Sequence, residues 1–124
     1  MTPVKKRIRI LKEKVVTMQV NEETVLCGAS AYERKYYFNP DFDSLPQAVK
    51  EELRIMCVLF VEEIGGILTL QYDEEGNLLF RTEAKDADGF YDEIGAGLRI
   101  KQLRKEKEEL LEALETFYRV FAQA

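Results

Sequence analysis

Apolar and polar positions change period several times along the chain, and each change marks an element. Val4, Ile8, Leu11, Val15 and Met18 recur at spacings of 4, 3, 4 and 3, a helical stripe with basic residues on its other faces. A strand competes for residues 14–20, because Val15, Val16 and Val20 are β-branched. Thr24 to Cys27 is short and apolar and reads as a brief strand ended by Gly28. Ser30-Ala31-Tyr32-Glu33 has capping-box spacing and predicts a short helix over 31–38, stopping ahead of Asn39-Pro40. The alternation of Tyr32, Arg34, Tyr36 and Phe38 supports a strand over the same residues. Ser44-Leu45-Pro46-Gln47 is a stronger helix start, and the helix should run to Ile64 and close at Gly65-Gly66. Val49 and Leu53 face inward in its first half. From Ile55 to Val61 it is apolar on every face, which predicts a central helix covered on all sides.

The period then becomes two. Leu68, Leu70 and Tyr72 share one strand face, Asp73-Glu74-Glu75-Gly76-Asn77 is a turn, and Leu78 to Glu83 is the return strand. A polar loop, Lys85 to Gly89, leads into a last helix over 90–121, with Asp92 and Glu93 suited to its start. Ile100, Leu103, Leu110, Leu114, Phe117 and Phe121 form a 3-4 seam on it, interrupted by Lys107. Gly95 and Gly97 lie inside that helix, where each costs about 1 kcal/mol relative to alanine, and they would admit a close neighbour or a kink.

These elements predict an α+β fold: a central buried helix, a β-hairpin with room for another short strand beside it, and a long C-terminal helix. At 124 residues the chain is expected to be one domain, 1–124, with 1–20 as a basic amphipathic segment. A 46% hydrophobic and 33% charged composition belongs to a folded chain rather than a disordered one. No apolar run approaches a membrane span, and the N-terminus lacks the apolar core and cleavage site of a secretion signal. Cys27 and Cys57 sit among apolar neighbours and are expected to be buried and reduced, as in the cytoplasm. The net charge of −5 is uneven. Lys5, Lys6, Arg7, Arg9, Lys12 and Lys14 face Glu13 alone, so the remaining chain is more acidic than the total. Nucleic acid and anionic lipid would be repelled by that body.

The absence of histidine removes the chemistry that needs an imidazole: Ser-His-Asp and Cys-His nucleophiles, and histidine-ligated zinc or iron. Two cysteines cannot make a four-thiolate zinc site. Cys27, ahead of Gly28 and near Arg34 and Lys35, is the better thiol nucleophile, although its apolar neighbours favour burial. Asp86, Asp88 and Glu93 belong to an acidic stretch, but Gly97 stands where a calcium loop needs its last carboxylate. Tyr32, Tyr36, Tyr37, Phe38 and Phe42 beside Arg34 and Lys35 have the composition of a base-stacking surface, without the signature of any nucleic-acid fold. No catalytic residue, metal or cofactor is expected.

The C-terminal helix carries the remaining signal. Arg99, Lys101, Arg104, Lys105 and Lys107 are followed by Glu106, Glu108, Glu109, Glu112 and Glu115. Two copies laid antiparallel would match opposite signs around the Ile100, Leu103, Lys107, Leu110, Leu114, Phe117, Phe121 seam. Alternatively, the basic arm could lie against the acidic stretch within one chain. The stretches LCGASAYERKYYFN, VKEELRIMCVLFVEEIGGILTLQYDEEGNLLFR and IKQLRKEKEELLEALETFYRVF resemble an uncharacterised family of small bacterial cytoplasmic proteins. That resemblance spans most of 26–121 and implies a bacterial cytoplasmic setting, with no activity or site carried over. The expected function is a non-enzymatic interaction or scaffold domain that forms a homodimer or binds another protein. The alternative is a small-ligand or regulatory domain with a pocket between sheet and helices.

Overall fold

A computed structural model describes residues 24–122, so the stripe over 4–18 lies outside the described residues. The fold is α+β: a four-stranded antiparallel sheet with helices packed on it. In chain order come β1 (Thr24–Ser30), β2 (Lys35–Phe38), α1 (Gln47–Ile64), β3 (Ile67–Tyr72), β4 (Leu78–Glu83), α2 (Glu93–Glu106) and α3 (Glu108–Phe117). The sheet order is β2-β1-β3-β4.

The hairpin β3–β4 forms where alternation and the turn residues place it. The Asp73 carboxylate accepts the Glu75 and Asn77 amides at 2.9 Å each, and Gly76 takes the positive φ of 86°. The sheet is wider than the sequence predicts. β1 does not end at Gly28 but runs through it, because a side chain is excluded there: an added Cβ would lie 2.8 Å from the Leu68 carbonyl oxygen. Residues 31–38 hold no helix. The Ser30 hydroxyl does accept the Glu33 amide at 3.2 Å, but it stitches a turn in which Arg34 has a φ of 55°. The chain then reverses into β2, with Tyr36 and Phe38 turned toward the core. Half a capping box is shared by a helix start and a turn, and long-range pairing with β1 decides between them.

α1 begins later than the Ser44 reading. Pro46 occupies the cap position with no side-chain hydrogen bond, and its carbonyl takes the Val49 and Lys50 amides. The helix ends at Gly65, as its glycine pair predicts. It is not covered on all sides: Leu53, Met56, Cys57, Phe60 and Val61 are buried, whereas Ile55 is 48% and Leu59 55% exposed.

The last helix is not continuous over 90–121. It starts at Glu93, where the Asp92 carboxylate accepts the Gly95 amide at 3.0 Å, and it leaves helical geometry at Lys107 (φ −112°, ψ 24°). Lys107 stands on the stripe that enters the core, and its ammonium turns aside to Glu52 on α1 at 3.1 Å. Neither glycine makes this break. Gly95 leaves room for the Asp92 cap, and Gly97 meets open space. After α3 the chain makes a wider π-type turn over Tyr118–Ala122. Tyr72 and Tyr118 stack at 4.0 Å in the core, and the Tyr72 hydroxyl donates to the Leu114 carbonyl at 2.9 Å.

Candidate functional site

Several of the residues singled out for chemistry are engaged in the fold. Cys27 and Cys57 are fully buried with their sulfurs 3.9 Å apart, joining β1 to α1. The contact with Cys27, together with burial, pushes the Cys57 thiol far above its ordinary range, the reverse of what a nucleophile needs. Burial raises the neighbouring Tyr36 hydroxyl as well. Asp88 accepts the Tyr32 hydroxyl at 2.6 Å, which in turn accepts the Lys85 amide, so the acidic loop is tied to the β1–β2 turn. Asp86 and Glu93 are exposed, and Asp92 is spent on its cap. Among the described residues no group of three or more Cys, Asp or Glu side chains is arranged to hold a metal ion.

The C-terminal seam is divided by the fold. Leu103 and Leu114 are buried in the chain's own core, and Ile100, Leu110 and Phe117 pack against that core half-buried. Lys107 is the joint between α2 and α3, and only Phe121, 72% exposed, stands free of the core.

A groove between α1 and α2 is the arrangement the sequence reading missed. Ile55 and Leu59 stand one turn apart on α1 and form its exposed apolar wall, with buried Met56 and Leu103 below. Its volume is about 570 Å³. The rim carries both signs. Lys107 donates to Glu52 at 3.1 Å, and Arg99 pairs with Glu63 at 3.3 Å and with Glu106 at 3.7 Å. The signal available is the apolar run Ile55–Val61, whose all-round hydrophobicity predicts cover on every face without saying what supplies it. Among the described residues Ile55 and Leu59 stay about half exposed on its outer face.

The layer between sheet and α1 is filled by Cys27, Cys57, Phe60, Leu68 and Leu70. A depression of about 500 Å³ opens at its edge beside Ala31, Tyr36, Val58 and Val61. No described helix is long and apolar enough to cross a membrane.

Compared with family models, residues 23–124 match a family of unknown function, DUF6145. The chain belongs to this family. DUF6145 thus covers every described element, from β1 to the last turn, including both walls of the groove. No curated protein and no solved structure matches the chain.

Proposed function

We propose that this DUF6145 chain is a non-enzymatic interaction domain that pairs with a second copy of itself across the α1–α2 groove. The observation that carries the reading is the exposed Ile55–Leu59 pair, set in a groove whose rim holds Glu51, Glu52 and Glu106 together with Arg99 and Lys107. Exposed large aliphatics one turn apart cost solubility unless something covers them. A two-fold interface brings one patch against itself, so the rim must offer both charges. A rim of one sign would repel its own copy. The C-terminal helix takes part through Leu103 and Lys107, not through its whole seam. A ligand-binding role has less support, because side chains fill the interior of the sheet–helix layer and leave only the depression at its edge beside Tyr36 and Val58.

The test is a paired set of variants. Leu59→Glu and Ile55→Glu place a charge on a half-exposed position, so each variant should keep its fold by circular dichroism but fail to form the dimer proposed for the unaltered chain. Dimers of unchanged affinity in both variants would remove the groove from the interface.

A further inference from the structure

β2 is an edge strand, and its outer side offers backbone groups to a partner. The Asn39 amide donates to the Leu26 carbonyl at 3.0 Å, and the pairing of Phe38 with Cys27 and of Lys35 with Ser30 continues from it. Backbone hydrogen bonds in an antiparallel pair fall on alternate residues. Lys35 and Tyr37 therefore bond to β1, and the amides and carbonyls of Tyr36 and Phe38 point away from the sheet. Among the described residues no backbone group from outside the strand reaches them. The opposite edge differs, because both backbone groups of Leu78 on β4 are taken, by Glu115 and Arg104.

Beside the open edge lies the depression of about 500 Å³. The start of β2 bounds it on one side and α1 on the other, through Ala31, Tyr36, Val58 and Val61. Arg34 and Lys35 also line it. Both are exposed, and among the described residues neither is in an ion pair. Glu62 on α1 is the one acidic residue in the lining.

We infer that this edge binds an extended peptide of another protein, added antiparallel to β2, with an apolar side chain in the depression and a carboxylate at its C-terminal end against Arg34 and Lys35. Peptide residues opposite Tyr36 and Phe38 exchange amide and carbonyl with them, which supplies affinity without a set sequence. Sheet geometry fixes where the side chains go. The residue opposite Tyr36 points to the same face as Tyr36, the face that packs on the core, and so enters the depression. Antiparallel addition brings the peptide's C-terminal end to the N-terminal end of β2, where the two cations stand. Arg34 and Lys35 outweigh Glu62, so the matching end is anionic. The β2 of a second copy fits poorly, because its Tyr36 and Phe38 side chains pack against its own core and cannot enter the depression. The site uses Val58 and Val61 of α1 and leaves Ile55 and Leu59 to the groove, so it holds or fails apart from self-pairing.

The experiment uses the full chain. Short random peptides displayed with free C-termini are selected on it, and the enriched sequences are synthesised. At saturation these peptides should slow amide hydrogen exchange at Tyr36 and Phe38 by roughly tenfold and leave β4 unchanged. Methylating the peptide nitrogens that face β2 removes their donors and keeps every side chain, and it should abolish the protection. Arg34→Asn with Lys35→Gln removes both charges, and asparagine tolerates the left-handed φ at 34. That variant should bind about tenfold more weakly with an unchanged circular dichroism spectrum. If amidating the peptide's C-terminus weakens binding equally, the carboxylate is the terminus. If a side-chain carboxylate must be removed instead, it is that side chain. Selection that enriches nothing, N-methylated peptides that bind as well, or protection that falls on Ile55 and Leu59 in place of β2 would overturn the inference.

Discussion

Single residues in this fold are held by backbone proximity and by buried hydrogen bonds. Gly28 is the clearest case, because the Leu68 carbonyl occupies the space a side chain would need. Gly28→Ala should destabilise the protein by about 1–3 kcal/mol in urea unfolding, through separation of β1 from β3. Tyr72 donates to the Leu114 carbonyl inside the core, a carbonyl that also accepts the Tyr118 amide, so Tyr72→Phe removes one hydrogen bond without orphaning its acceptor and should cost about 0.5–1.5 kcal/mol by the same measurement. Asp73 binds the turn amides in its ionised form, and those hydrogen bonds hold its carboxyl below the usual range. A depressed carboxylate contributes stability above its unfolded pKa of about 3.9 and loses it as pH falls through the lower folded value. Thermal melting from pH 5 down should therefore show a decline that is shallower in Asp73→Asn. An unchanged slope would show that the turn does not feel the charge.

At the scale of elements, what was legible depended on whether local signals had a rival. The β3–β4 hairpin had none: strict alternation, a five-residue turn and a glycine with positive φ all agree. β2 did have one. Ser30-Ala31-Tyr32-Glu33 satisfies a capping box on paper, and only the pairing of Lys35–Phe38 with β1 makes it a turn. That pairing is non-local and leaves no mark in a short window. The break at Lys107 was visible as an interruption of the seam, but its consequence, the reach to Glu52, needs the position of α1. β4 shows the same limit. Its edge is protected at Leu78, whose amide donates to Glu115 at 2.8 Å and whose carbonyl accepts Arg104 at 3.0 Å. Asp92 is the cap of α2, and Asp92→Ala should cost about 1 kcal/mol, read as faster amide exchange in the first turn of that helix.

For the molecule as a whole, the α+β class was readable because helical and strand periods alternate cleanly in 47–83. The candidate surface was not readable, because an apolar run states only that water should be excluded. Whether the chain's own helices or another molecule does so is a matter of how many elements surround it. Here α2 covers one side of α1 and leaves Ile55 and Leu59 outside. Sedimentation equilibrium of the wild-type chain from low to high micromolar concentration tests that reading most directly. A mass of twice 14.4 kDa at the upper concentrations, reverting to one chain on dilution, is the expected result. A single-chain mass throughout would contradict it.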